Sequence, residues 1–265
     1  MILLNEMTEN QILLKHQSGS ICTLTLNRPD QYNALSEQLL SAVIDALDTI
    51  ASDQSVKVVV LAANGKAFCA GHDLKQMRAN DNHVYQHELF SQCSRMMQKI
   101  VGLPQPVIAR VQGMATAAGC QLVATCDLAV AASHCQFAVS GIRLGLFCST
   151  PAVALSRNVS RKHAMRMLLT GDFIDAETAV EYGLVNSSVA ADDLDDAVLK
   201  LAEDITSKPA RPVQLGKRMF YQQLDQELGE AYTIATEAIS GNMMMDEARE
   251  GIDAFIEKRS PVWPE

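Results

Sequence analysis

The sequence predicts an α/β fold, in which buried strands alternate with helices over about the first 200 residues and helices alone follow. Three observations carry this prediction. The segment VKVVVLAA (residues 56–63) is a continuous apolar, β-branched run, typical of a strand that is buried on both faces of a sheet. Strand-like and helix-like segments alternate around it, with glycine-rich loops, as in repeated crossover units. After residue 150 the remaining segments have helical periodicity.

The predicted elements of the core follow in a regular order. Ser36 has the position of an N-cap for the helix SEQLLSAVIDALDTIAS, whose apolar residues recur at helical spacing. Around this helix and the VKVVVLAA strand, the pattern predicts strands over residues 12–15 and 21–26 joined at the turn QSGS, a helix from about residue 84 to 101, a strand at PVIARVQG, a helix from about residue 118 and a strand at DLAVAA.

The carboxyl-terminal part is predicted to be helical. Its helical segments, punctuated by glycine or proline, are RKHAMRMLLTG, DAETAVEYG, DDLDDAVLKLAEDITS, RPVQLGKRMFYQQL and DEAREGIDAFIEKR. This pattern indicates a core of residues 1–200 followed by a helical region of residues 201–265.

Composition and charge narrow the possible partners. The chain has 265 residues, of which 48% are hydrophobic, and a formal net charge of −9. An acidic chain argues against binding to nucleic acid or to an anionic membrane, because both need clustered Lys and Arg. The amino terminus has no basic region and contains Glu6 and Glu9, so no signal peptide is predicted. Residues 114–132 are apolar but include Gln121 and Asp127, which favours a buried helix and strand over a membrane span. The expected location is cytoplasmic.

Metal and nucleotide sites are not predicted. The seven cysteines form no CxxC pair and lie mostly in apolar stretches, as buried reduced thiols do. His83 and His87 have metal-ligand spacing, but HVYQH lacks the glutamate of a zinc protease and a third ligand. Asp127, between a helix and a strand, is interpreted as a structural carboxylate. There is no GxGxxG or GxxxxGK[ST] motif.

Two loops rich in glycine and alanine are the candidate site. NGKAFCAGHDL and GMATAAGCQL each follow a buried strand, where ligands of α/β sheets bind. Small residues let backbone N–H groups approach a ligand, and a helix that starts near Ala118 adds the positive end of its dipole. Two such N–H groups on one oxygen would form an oxyanion hole. On spacing alone, two ordinary tight turns explain the loops equally well.

Read together, four segments resemble the crotonase (enoyl-CoA hydratase/isomerase) superfamily. They are LNRPDQYNALS, AFCAGHDLKQM, AAGCQLVATCDLAVA and LLTGDFIDAETAVEYGLVN, and the resemblance extends in order from Ile12 to Lys258. The segments GHDLK and ATAAGCQL are most similar to the enoyl-CoA hydratase domain-containing subgroup. The implied fold is a spiral of ββα units with a helical carboxyl-terminal region that packs trimers, commonly paired into hexamers.

The resemblance also implies a function and its residues. Members bind acyl-CoA thioesters, with coenzyme A as part of the substrate and no permanently bound cofactor. Many are lyases of fatty acid metabolism that stabilise a thioester enolate with two backbone N–H groups, which here would belong to His72 and Ala118. The implied CoA-binding residues are Lys66, Ala67, Phe68, Ala70, Asp73 and Leu74, together with Phe255 and Lys258, which would reach the CoA of a neighbouring subunit. Lys258 is equally well explained as a solvated helix residue.

The chain departs from the family pattern at both catalytic glutamates. Gln121 stands at the first position and Gly141 at the second. A primary amide cannot take a proton from water, and glycine was expected to offer only space. Cys148 and Ser149 match the segment that faces the substrate, and with His72 they could in principle run thioester hydrolysis. The open readings are therefore an enzyme that acts on CoA thioesters, a non-catalytic acyl-CoA-binding or regulatory protein, and a CoA thioester hydrolase.

Overall fold

The computed structural model describes residues 11–264. Residues 1–10, on which the signal-peptide prediction rests, lie outside the described residues. The strands are β1 (Leu13–Ser18), β2 (Ile21–Leu26), β3 (Val58–Ala63), β4 (Ala67–Cys69), β5 (Val107–Val111), β6 (Met114–Thr116), β7 (Leu128–Ala132), β8 (Gln136–Ala138), β9 (Ile174–Asp175) and β10 (Ser187–Val189).

Helices connect and cover these strands. They are α1 (Glu37–Ala51), α2 (Leu74–Ala79), α3 (His83–Gly102), α4 (Ala118–Thr125), α5 (Ser149–Asn158), α6 (Arg161–Thr170), α7 (Ala176–Glu181), α8 (Leu194–Thr206), α9 (Ala210–Leu224), α10 (Leu228–Met243) and α11 (Asp246–Glu257). Short 3₁₀ turns include Pro29–Gln31 and Ser140–Leu144.

Two sheets give the fold its spiral form. The larger has the order β1-β2-β3-β5-β7-β10 and is parallel except for β1, and the smaller has the order β4-β6-β8-β9 and is parallel except for β9. Each of the pairs β3/β4, β5/β6 and β7/β8 adds one strand to each sheet before the chain turns into helix. This is the ββα spiral that the resemblance implied.

The core follows from the apolar patterns. Every residue of β3 is buried, as its continuous apolar run predicts. Helix α1 is capped by the Ser36 side chain, which accepts the N–H of Leu39. Its buried face consists of residues at helical spacing, namely Leu39, Leu40, Val43, Leu47 and Ile50.

Three helices, strand β10 and the smaller sheet were not among the predicted elements, and β9 and β10 lie after residue 150, where only helices were expected. Strands β4, β6 and β8 have three residues each, too few to establish an alternating pattern. Helices α2 and α5 occupy stretches interpreted as loop. Helix α10 was also not predicted, and none of its residues is buried. The first hairpin also turns more tightly than predicted, with only residues 19–20 between its strands.

The carboxyl-terminal helices are joined to the core by a buried polar network. Asp127 Oδ2 accepts hydrogen bonds from Lys217 Nζ and from the Val107 N–H, each at 2.7 Å, and Asp127 Oδ1 accepts one from the Tyr221 hydroxyl at 2.8 Å. Asp127 is therefore the structural carboxylate that the sequence indicated. Helix α8 spans residue 200, the predicted boundary between the two parts of the chain.

The part of the chain that the structure describes lacks two kinds of feature. None of its helices combines the length and apolarity that a bilayer crossing requires. It holds no group of three or more His, Cys, Asp or Glu residues able to bind a metal ion. All seven cysteines are free and buried, as predicted.

Candidate active site

The loop before α2 is held in place by the segment LNRPDQYNALS. Asn33 is fully buried with φ +54°, and its Nδ2 donates hydrogen bonds to the carbonyl oxygens of Asn64 and Ala67, each at 2.8 Å. Its Oδ1 accepts the Arg28 N–H at 2.8 Å. The Ala70 N–H donates to the Tyr32 carbonyl at 3.0 Å. One buried amide thus fixes the loop that carries the first predicted N–H donor.

The orientation of that donor follows from the peptide between Gly71 and His72. The Gly71 carbonyl accepts the Leu35 N–H at 2.8 Å, and the Asp73 N–H donates back to the Leu35 carbonyl at 3.2 Å. In a trans peptide the carbonyl and the N–H point in opposite directions. The His72 N–H therefore faces away from Leu35. Gly71 has φ +93°, a conformation that favours glycine.

The second predicted donor lies at the start of α4. Ala117 has φ +51°, which is uncommon for a residue with a Cβ and is a form of strain often found at functional sites. The Ala117 carbonyl accepts the Gln121 N–H at 3.1 Å, so the helix begins here. Because Ala118 is the first helical residue, its N–H has no partner within the helix and lies at the positive end of the helix dipole.

The two loops are in contact at these donors. A Cβ on Gly71 would lie 2.9 Å from Ala117 Cβ and 3.3 Å from the Ala118 nitrogen. A Cβ on Gly119 would lie only 2.0 Å from the Cys69 carbonyl oxygen, so glycine is required where α4 meets β4. Within residues 11–264, neither the His72 N–H nor the Ala118 N–H donates to a protein acceptor. The two loops therefore place two N–H groups without a protein acceptor near each other, where both could donate to one oxyanion.

Gln121 and Gly141, at the positions of the two glutamates, have different environments. The Gln121 side chain is 4% exposed, and its Oε1 has no hydrogen-bond partner among the described residues. Gly141 is buried, and a Cβ there would lie 2.7 Å from both Cys148 Sγ and the Leu146 carbonyl oxygen. The expectation that Gly141 leaves open space is therefore wrong, because Cys148 and Leu146 fill that space.

His72, Cys148 and Ser149 do not form a nucleophile–base pair in this structure. The His72 ring packs edge-on against Phe90, with ring centroids 5.0 Å apart, and neither ring nitrogen has a hydrogen-bond partner among the described residues. Burial lowers the pKa of His72 to about 4. Burial also raises the pKa of the Cys148 thiol, although a hydrogen bond from the Gly141 N–H opposes this. The Ser149 hydroxyl donates to the Phe147 carbonyl at 3.3 Å.

The predicted CoA-binding residues near this loop divide into exposed and buried ones. The side chains of Lys66 and Leu74 are exposed, and Ala70 is partly exposed. Ala67 and Phe68, in β4, are 2% and 0% exposed, so their side chains belong to the core. Only their backbone could contact a ligand.

Asp73 has a structural role that the sequence analysis did not identify. Its Oδ1 caps α2 by accepting the N–H groups of Lys75 and Gln76, and its Oδ2 pairs with Arg28 at 3.1 Å. Burial alone would raise the pKa of Asp73, but the hydrogen bond from Arg28 and those from the α2 backbone outweigh it and hold the pKa below its usual value. Asp73 therefore fixes the loop that carries the His72 N–H. The presence of Arg28, Asn33 and Asp73 in the matched motifs was the sequence signal that could have indicated this role.

Phe255 and Lys258 lie at the end of α11. The Phe255 side chain is 85% exposed, and Lys258 adopts φ +57° as the residue that ends the helix. Both side chains are accessible for contact with another molecule.

Comparison with known proteins agrees with this architecture. The enoyl-CoA hydratase/isomerase family model matches residues 16–265. The mitochondrial enoyl-CoA hydratase domain-containing protein 3 of Rattus norvegicus is 42% identical over 256 residues, which cover 97% of this chain and 85% of the rat protein.

Solved structures show the same fold. The crystal structure of an enoyl-CoA hydratase from Mycobacterium smegmatis matches with a TM-score of 0.95 and 53% identity, covering 96% of this chain and 99% of that one. Human enoyl-CoA hydratase domain-containing protein 3 matches with a TM-score of 0.93 and 42% identity, covering 96% of this chain and all of the human one. The chain therefore belongs to the crotonase superfamily of enoyl-CoA hydratases and isomerases, and within it to the enoyl-CoA hydratase domain-containing subgroup.

Proposed function

We propose that this protein binds an acyl-CoA thioester and stabilises a negatively charged thioester oxygen, as in an enolate, with the backbone N–H groups of His72 and Ala118. The observation that carries the proposal is the contact of Gly71 with Ala117 and Ala118, beside which both N–H groups lack a protein acceptor. The enoyl-CoA hydratase names of its relatives support the choice of ligand.

The two donors would act through charge that develops during the reaction. A carbonyl oxygen that becomes an enolate oxygen gains negative charge, and fixed N–H groups stabilise that charge without having to reorganise. The N-terminus of α4 adds its dipole to the Ala118 donor. Loss of one such donor typically lowers kcat about 10²–10³-fold.

Water addition by a pair of carboxylates is not supported by these residues. Gln121 could hold a water molecule through its unpaired Oε1, but its amide cannot take the water's proton. Gly141 provides no side chain, and Cys148 and Leu146 occupy the space beside it. Since one positioned acid or base is worth about 10²–10⁴ in rate, hydration by this route should be severely reduced.

A non-catalytic acyl-CoA-binding or regulatory protein is the second candidate. The filled space at Gly141 favours it, because the site keeps its N–H donors while losing room for the second acid. The thioester hydrolase reading has less support. A thiol whose pKa is raised by burial is a poor nucleophile, and His72 is buried without contacting it through a hydrogen bond.

The Gly71→Ala variant tests the proposed donors. Its Cβ would crowd Ala117 and Ala118, so we expect calorimetry with butyryl-CoA to show at least about a tenfold weaker Kd than for the unmodified protein. Gly19→Ala is the matched control, because Gly19 also has positive φ (+57°) but has no atom within 4 Å of a Cβ. Equal butyryl-CoA binding by both variants would contradict the assignment.

Two further measurements complete this test. A crystal structure with butyryl-CoA should place the thioester oxygen within hydrogen-bond distance of the N–H groups of His72 and Ala118, whether or not Gly71→Ala folds. An assay of crotonyl-CoA and a panel of other esters separates the candidates, since turnover supports an enzyme and binding without turnover supports a binding protein. Absence of heat with every CoA ester would exclude both.

The remaining parts of the proposal concern assembly and setting. We expect a homotrimer or homohexamer in which Lys66, Ala70 and Leu74 contact CoA from one subunit, with Phe255 and Lys258 from its neighbour. Participation in fatty acid metabolism as a lyase and a cytoplasmic location stay predictions, and the rat relative is named as a mitochondrial protein.

A further inference from the structure

A groove of about 650 Å³ lies along the outer face of α3 and reaches the first turn of α5. This volume is within the range of ligand-binding sites, about 300–1,000 Å³. We name it the distal groove. It is lined by His83, Gln86, His87, Phe90, Ser91, Ser94, Arg95, Gln98 and Thr150.

The distal groove adjoins the candidate active site at two points. Phe90 lines the groove, and its ring packs against the His72 ring with centroids 5.0 Å apart. Thr150 also lines it and lies two residues after Cys148, whose Sγ accepts the Gly141 N–H at 3.3 Å. The groove therefore neighbours the loop that carries His72 and the segment that carries Cys148.

Most side chains that line the groove are polar and can donate hydrogen bonds. Phe90 is its one hydrocarbon side chain, and an imidazole ring always carries at least one N–H donor. The rings of His83 and His87 stack with centroids 6.2 Å apart, and His83 is the first residue of α3, at the positive end of a 20-residue helix. The chain as a whole is acidic, yet none of the residues that line the groove is Asp or Glu.

Arg95 adds a permanent positive charge to the same wall. It pairs with Glu88 at 2.6 Å through one nitrogen, and both side chains are more than half exposed. Because a guanidinium carries five N–H donors, Arg95 can bind a second anion while it keeps this contact. Glu88 itself is not among the residues that line the groove.

We propose that the distal groove selects acyl-CoA thioesters whose acyl chain ends in a second carboxylate, recognised by His87 and Arg95. This inference rests on the proposed function, since the thioester end must be bound first. A carboxylate accepts hydrogen bonds from both imidazole and guanidinium groups, whereas a methyl end offers these groups no acceptor.

Calorimetry with two CoA esters of equal chain length tests the inference. Adipoyl-CoA carries a distal carboxylate and hexanoyl-CoA ends in a methyl group. We expect the unmodified protein to bind adipoyl-CoA about tenfold more tightly. The double variant His87→Ala/Arg95→Ala should lose this preference while its hexanoyl-CoA affinity changes little. Arg78→Ala is the matched control, because Arg78 is 80% exposed, pairs with Asp81 and lies outside the groove.

The outcomes separate this inference from the proposed function. Equal or tighter binding of hexanoyl-CoA by the unmodified protein, or a preference that survives in the double variant, would overturn the distal-carboxylate assignment and leave the thioester site intact. Binding of neither ester, with butyryl-CoA also inactive, would overturn the proposed function and this inference together. Should the double variant unfold, the ratio of the two affinities in the unmodified protein still decides.

Discussion

Single residues determine this site as much by atoms they lack as by atoms they present. Gly71 and Gly119 allow two loops to touch where any Cβ would collide with Ala117 or with the Cys69 carbonyl. His72 contributes its backbone to this contact, while its ring is withdrawn against Phe90. The free energy of unfolding therefore depends on pH through the His72 side chain, because its ring packs in a position where the charged form is disfavoured.

We expect acid to destabilise the fold through His72. Its pKa falls from 6.5 to about 4 on burial, so between these pH values the unfolded chain binds a proton that the folded chain does not. The contribution is fully present above pH 6.5 and is lost as the pH falls toward 4, for a total of about 3 kcal/mol. Urea unfolding at several pH values should show this loss in the unmodified protein and a shallower loss in His72→Leu. Parallel curves for the two proteins would contradict the assignment.

The loops that carry His72 and Ala118 are in contact, but the sequence did not show which neighbouring side chains are accessible. Ala67 and Phe68 match the family motif as well as Lys66 does, yet both are buried. Their burial could not be predicted, because a strand of three residues is too short to recognise from sequence. The filling of the space beside Gly141 was equally hidden. It depends on the path of the chain through Leu146 and Cys148, which no local pattern specifies.

At the scale of elements, a buried ion pair joins α9 to the core. Lys217 Nζ donates to Asp127 and also to the carbonyl oxygens of Ile100 and Gln105, each at 3.0 Å. Burial lowers the pKa of Lys217, and Asp127 opposes that shift. The sequence suggested a structural Asp127 but could not name its partner, which lies 90 residues further along the chain.

Removal of this cation should be far more damaging than removal of an exposed one. Lys217→Met leaves Asp127 charged, buried and short of one partner, at an expected cost of about 3–5 kcal/mol in the free energy of unfolding. Lys99→Met, which removes the exposed pair of Lys99 with Asp48, should cost about 1 kcal/mol or less. Denaturant titration of the two variants measures both values, and similar losses would show that the buried network is not the anchor of α9.

At the scale of the whole molecule, the carboxyl-terminal helices present an apolar surface that the chain does not cover. No apolar residue of helix α9 or helix α10 is buried. Large apolar side chains of α9–α11 are more than half exposed, namely Phe220, Leu224, Leu228, Tyr232, Ile239, Phe255 and Ile256. An exposed patch of this kind usually marks a protein interface, which agrees with the predicted oligomer.

Sedimentation should therefore report three or six copies of the 28.8-kDa chain. We expect Leu228→Glu, which places a charge on this surface, to shift the population toward monomers. Leu169→Glu on α6 is the control, since Leu169 is similarly exposed (59%) but lies outside the carboxyl-terminal helices. A monomer in the unmodified protein, or dissociation by the α6 variant alone, would place the interface elsewhere.

The spiral itself was the most predictable feature at this scale. Its larger sheet follows from long apolar runs such as β3, whereas the smaller sheet consists of short strands that gain their identity only from pairing with one another. The family resemblance implied a spiral of ββα units, but neither it nor periodicity located the strands of the smaller sheet.

The close packing around Gly141 limits which side chains this position can hold. We expect that glutamate at both 121 and 141 would not create hydratase activity, because a Cβ at 141 would already lie 2.7 Å from the Leu146 carbonyl oxygen and from the Cys148 sulfur. An acid at position 141 would first require the turn of residues 145–148 to be rebuilt. The limit on an acid at this position lies in the backbone as well as in the choice of side chain.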